Sequence, residues 1–161
     1  MLDTSGEIEY EHPAVKIGIP VDLYDALAQI ADDLEAGRLR HHRFPLDRKG
    51  LPDCSAIPAG RWFNMHEWRT STKDGCGTVF CIAGLVDAKI GNNRIWDAGY
   101  LNGQMLLPLL ELFFPGTSDD VPYNWNAITA REAAVAIRSL LATGRTDWKK
   151  ALARKRRAKA A

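Results

Sequence analysis

The side chains best suited to chemistry in this chain are three cysteines and one of its histidines: Cys54, His66, Cys76 and Cys81. Together they make a Cys3His set of the kind that holds tetrahedral zinc. Structural zinc sites pair their ligands about two to four residues apart, and here only Cys76 and Cys81 come near that spacing. The plainer expectation is that no cofactor binds, with zinc the one these residues could hold. The two close cysteines also allow thiol chemistry. Thr78 is a good N-cap for an apolar helix VFCIAGLVDAKI over 79–90, which puts Cys81 in its first turn and Cys76 just before it. Free amide donors and the helix dipole stabilise a thiolate at such a place. Against this, C-x4-C is not the redox C-x-x-C, and no His–Asp partner lies close by. Phe80 and Ile82 flank Cys81 as they would a small core residue. The chain has no P-loop, no GxGxxG, no HExxH and no nucleophile elbow. No residue is assigned a catalytic role, and the reading leans away from an enzyme.

Charge supplies the second kind of candidate. Residues 149–161 carry seven basic side chains and no acid: Lys149, Lys150, Arg154, Lys155, Arg156, Arg157 and Lys159. The whole chain has 21 basic and 20 acidic residues, so the remainder holds 14 against 20 and sits at −6. Such an arm can neutralise phosphates of nucleic acid; it is interleaved with alanine rather than aromatics, so base stacking is not suggested. A solvated tail is the bland alternative. Asp22, Asp25, Asp32, Asp33 and Glu35 could form an acidic face for a basic protein partner, or simply meet water. His41 and His42, among Arg38, Arg40, Arg43, Arg48 and Lys49, make the most basic patch of the body, suited to an anion or to solvent.

Elements must position these groups. A chain of 161 residues fits one domain, and 46% apolar with 25% charged residues is ordinary for a globular protein. No apolar run is long enough to cross a bilayer. The polar N-terminus lacks the marks of a signal peptide, and an odd cysteine count suits a reducing cytosol. Residues 14–20, AVKIGIP, have a strand-like composition. From Pro20, Leu23, Leu27, Ile30 and Leu34 recur at helical spacing, with Asp22 as a cap and Gly37 as the stop. Residues 38–62 show no period and read as an irregular connection held by Phe44, Leu46, Leu51 and Ile57. Phe63 to Trp68 suggests a helical turn capped by Asn64. A further helix begins near Leu107 and stops at Pro115, and Tyr123 and Trp125 tuck against the core. Thr129 and Glu132 form a capping box with Ile128 as the staple, and Gly144 closes that helix. Asp147 caps a last helix that Trp148 anchors. The expectation is a mainly α fold of four to five helices over 1–148, with long ordered loops and a central buried helix at 79–90. Residues 149–161 follow as a partly disordered basic arm.

Arg61–Leu85, RWFNMHEWRT followed by CGTVFCIAGLV, resembles a set of small proteins of phage genomes and prophages. They share a Phe-x-Met-x-x-Trp turn and a Cys-Gly-Thr-x-x-Cys-x-Ala-Gly run. Phe63, Met65, Trp68, Cys76, Gly77, Thr78, Cys81, Ala83 and Gly84 match this pattern, and a weaker likeness extends through LELFFP, Trp125 and ITAREAAVAIRSLLATG. Residues 61–86 and 110–148 are covered; 87–109, the first long helix and the basic arm are not. The resemblance implies a cytoplasmic, phage-associated accessory protein of an infected or lysogenic bacterial cell, and no reaction. The leading expectation is thus a non-catalytic protein that binds a host or phage macromolecule, a counter-defence inhibitor being one instance. Nucleic-acid association through the basic arm comes second, and a small-molecule or metal site around Cys76 and Cys81 third.

Overall fold

The stripe Leu23, Leu27, Ile30 and Leu34 becomes the buried side of a helix α2, Val21–Glu35, with Ala26 and Ala31 filling the space between them. The computed structural model describes residues 11–49, 53, 57–66, 69–71, 77–91, 100–101, 104–105, 107–115 and 125–158. For 69–71, 77, 100–101, 104–105, 107 and 154–158 it describes the backbone. Pro20, rather than Asp22, takes the N-cap position of α2; Asp22 sits in the first turn, where its carboxylate accepts from the Leu23 amide at 2.9 Å and favours the dipole. At the other end Arg38 N–H reaches Asp33 O at 2.9 Å and Gly37 N–H reaches Leu34 O at 3.3 Å. That Schellman closure needs a left-handed residue, and Gly37 supplies it at φ 71°. Before α2, Pro13–Ile17 forms a short helix α1, not the strand that its β-branched residues suggested. Pro13 fixes the first helical φ, and the His12 side chain accepts the Ala14 amide at 3.2 Å.

The unforeseen layer is a four-stranded sheet. Its strands are β1 (Arg40–His41), β2 (Gly60–Phe63), β3 (Arg69–Ser71) and β4 (Gly77–Phe80), in spatial order β1-β2-β4-β3. β1, β2 and β4 run parallel, and β3 is antiparallel to β4. The connection 38–62 is therefore not wholly irregular, since both its ends are strands. Nor is Phe63 the start of a helical turn; it closes β2, and Asn64 caps only the turn that follows, accepting from His66 N at 2.7 Å. The helix expected over 79–90 loses Val79 and Phe80 to this sheet and Cys81 to its own cap. Gly77–Phe80 hydrogen-bonds to neighbours on both sides as one of its two inner strands, and helix α3 runs Ile82–Ile90 with Cys81 as its N-cap. A short apolar run carries no period that separates a buried strand from a buried helix. Two flanking strands with free ladder positions decide the matter.

Successive side chains of a strand point to opposite faces, and here both faces are covered. Phe63 and Phe80 join the main core with α2 and α3; Val79 packs with Phe44 and Ile57 on the other side, where Trp62 lies against them. Leu46 stays exposed, and Leu51 and Tyr123 lie outside the described residues.

A two-stranded hairpin, β5 (Tyr100–Leu101) with β6 (Gln104–Met105), leads into α4, Leu107–Phe113. A 3-10 turn at Trp125–Ala127 precedes α5, Ala130–Thr143. The capping box forms in full: Thr129 Oγ1 accepts the Glu132 amide, and Glu132 returns to the Thr129 amide at 2.7 Å. Gly144 ends α5 at φ 72°, with Ile17 so near that a Cβ there would sit 3.3 Å from its methyl carbon. The inner side of α5 (Ala133, Ala134, Ile137, Leu140, Leu141) packs along α2 and completes the core. Helix α6, Trp148–Ala158, continues the chain, and the expected boundary at 148/149 falls at its first residue. The fold is mainly α, with six α-helices among the described residues and a small mixed sheet.

Candidate functional site

Parallel pairing brings the carboxyl ends of β1, β2 and β4 to one sheet edge, and a polar network is built there. Asn64 and Asn126 are 0% and 1% exposed. Asn64 Nδ2 donates to His42 O at 2.7 Å and to Asn126 Oδ1 at 2.6 Å. Asn126 Oδ1 also accepts the Phe44 amide at 2.9 Å, and its Nδ2 donates to Phe44 O at 2.9 Å. His41 Nε2 lies 3.0 Å from Asn126 O, a carbonyl, so that ring nitrogen carries the proton. Buried amides bonded through both their oxygen and their nitrogen hold a chain rigidly. This pair ties the 42–44 segment, the end of β2 and the 3-10 turn together. His42 stands beside it, edge-on to Phe44 at 5.0 Å and tilted against Trp62 at 5.8 Å. Its Nε2 is buried with no hydrogen-bond partner among the described residues. The sequence marked Asn64 as a cap and passed over Asn126; a polar amide inside the apolar runs FNM and WNAI was the available signal.

The thiol and metal candidates are not brought together among the described residues. Cys81 is 5% exposed and lies one residue before α3 rather than within its first turn. Its sulfur accepts the Gly84 amide at 3.4 Å, so the thiol caps the helix. His66 is exposed on the turn after β2, while Cys54 and Cys76 lie outside the described residues. Among the described residues no three His, Cys, Asp or Glu side chains are grouped to hold a metal ion. Of the motif residues that are described, Phe63, Met65, Cys81, Ala83 and Gly84 are buried, and Gly77 and Thr78 belong to β4. Trp68 lies outside the described residues.

The acidic stripe of α2 is largely closed by its own cations. Arg138 on α5 binds Asp32 and, at 2.9 Å, Glu35. Arg38 Nε meets Asp33 at 2.7 Å, Lys89 approaches the same carboxylate at 3.4 Å, and His12 lies 3.3 Å from Asp25. Burial pushes the Asp33 carboxyl up, but the Arg38 hydrogen bond and the Lys89 charge outweigh it and hold it below its ordinary 3.8.

The basic segment has a defined start. Trp148 is 3% exposed, and its indole N–H donates to Glu111 O at 2.8 Å. Thr146 Oγ1 donates to Pro108 O at 3.2 Å, which fixes the preceding residues to α4 as well. Asp147 caps α6 as the sequence predicted, accepting the Lys150 amide at 2.7 Å, and Ala151 is buried. Lys149 and Lys150 are exposed, as is Arg145 just upstream. Arg154, Lys155, Arg156 and Arg157 lie on the remaining helical backbone, and Lys159 lies outside the described residues.

No protein-family model, curated protein or solved structure matches this chain. No helix among the described residues is long and apolar enough to cross a membrane.

Proposed function

We propose that this protein is a non-catalytic binding protein that associates with nucleic acid through the phosphate backbone, using the basic helix α6. One observation carries the reading: the basic segment is a helix fixed to the body at its first residues, not a charge run hanging from it. Anchored cations keep their spacing, so less ordering is needed when they meet a row of phosphates. Trp148 is the sole aromatic residue from 148 onward, and it is buried with its N–H engaged. Stacking on bases is therefore not what α6 offers, and a duplex, with its dense backbone charge, is the better match. The expectation of a basic protein partner on α2 is weakened at the same time, because Asp32, Asp33 and Glu35 already have cationic neighbours. The resemblance to small phage proteins supplies the setting, a phage-associated accessory protein.

The test is fluorescence anisotropy with a labelled duplex of roughly 20 base pairs at about 50 mM salt. Binding should weaken steeply toward about 200 mM, with a log–log slope no steeper than about −6 for seven cations. Removing residues 149–161 should abolish it. Binding that survives the truncation sinks the proposal.

A further inference from the structure

We infer that Asp147, although negatively charged, strengthens phosphate binding, because it positions the basic helix that does the binding. This inference rests on the nucleic-acid reading and adds to it the device that sets affinity. Helix α6 spans 11 residues, a length that is marginal for an isolated helix in water. Its sequence opposes itself further: Lys150 and Arg154 are four apart and Arg154 and Arg157 three apart, spacings at which like charges repel. What favours the helix lies at its start. Asp147 accepts the Lys150 amide at 2.7 Å and places a carboxylate at the positive end of the dipole. Trp148 is locked to Glu111 O, and Thr146 to Pro108 O, so the first turn is held against α4. The helix is thus fastened at one end and self-repelling along the rest. When only the helical form presents the cations in register, apparent affinity scales with its population before binding. Loss of an aspartate cap shifts such an equilibrium about fivefold.

Charge and positioning predict opposite signs at this residue. As a mere acid among Lys149, Lys150 and Arg145, Asp147 repels phosphate, and its removal should tighten binding whatever replaces it. As a cap it supports binding, and the replacement matters. Asparagine caps as well as aspartate and carries no charge, whereas alanine does neither.

The experiment compares full-length wild type, Asp147→Asn, Asp147→Ala and Thr146→Val on the same labelled duplex, with thermal unfolding and far-UV circular dichroism run beside the titrations. Asp147→Asn should bind as well as wild type or better. Asp147→Ala should bind more weakly than Asp147→Asn, by up to about fivefold, with less helical signal and an unchanged salt slope. Thr146→Val, which alters no charge, should weaken binding in the same direction. A purely structural cap would lower the unfolding temperature and leave duplex affinity unmoved. Equal affinity of the alanine and asparagine variants overturns the inference while the nucleic-acid reading stands. A wild-type protein that fails to bind the duplex overturns that reading and the inference together.

Discussion

Replacing Asn126 with alanine tests the polar latch at the sheet edge. The truncation deletes the acceptor for Phe44 N–H, the donor for Phe44 C=O and one partner of Asn64 Nδ2. Asn64 keeps its bond to His42 O, so it is only partly orphaned. Phe44 is 1% exposed, and its two backbone groups are left without a partner in a site closed to water. Each buried group so stranded costs about 1–3 kcal/mol, and some relaxation follows, so the expected loss is about 3–5 kcal/mol. Total stabilities of domains this size are about 5–15 kcal/mol, which makes that loss severe. In urea unfolding followed by tryptophan fluorescence, the midpoint should fall by roughly 2 M at a slope of about 2 kcal/mol per molar. Hydrogen exchange should localise the damage to 42–44 and 57–66, because Phe44 holds the outer face of the sheet through Val79 and Ile57. Asn126→Asp sharpens the test. It keeps the acceptor for Phe44 N–H but sets an oxygen against Phe44 C=O, so it should also be strongly destabilising at neutral pH and less so once protonated. A loss under about 1 kcal/mol for the alanine variant would refute the reasoning.

Two further outcomes follow from ion pairing and capping. Asp33 is held below its ordinary pKa, so its contribution is present above that value and is lost as pH falls through the folded-state pKa. Asp33→Asn should flatten the acid limb of a stability–pH curve below about pH 4. The effect at neutral pH should be on the order of 1 kcal/mol or less, because Arg38 is mostly exposed. Thr129→Ala should cost about 1 kcal/mol, read as a drop of about 3 °C in Tm, and Glu132→Ala added to it should cost less than the two separately.

The sequence by itself determined the elements whose hydrogen bonds close within a few residues. The stripe of α2, the Thr129–Glu132 box, Gly144, the Asp147 cap and the Trp148 anchor all stand where spacing and residue type put them. A helix satisfies its backbone locally, so its start and stop are written near its own ends. The sheet was decided otherwise. Gly77–Phe80 pairs with Gly60–Phe63, which pairs in turn with Arg40–His41, and nothing inside any of these short runs names its partner. Thr78 looked like a cap because the residues that turn it into a strand, Arg61 and Ser71, belong to other short runs with no signal of their own. The Asn64–Asn126 bond joins positions 62 apart, and only the assembled fold reveals it as a buried pair. The α2 carboxylates likewise read as an open acidic face until α5 brought Arg138 alongside Asp32 and Glu35. Tertiary structure settled each of these because the group that satisfies the valence, the ladder or the charge comes from elsewhere in the sequence.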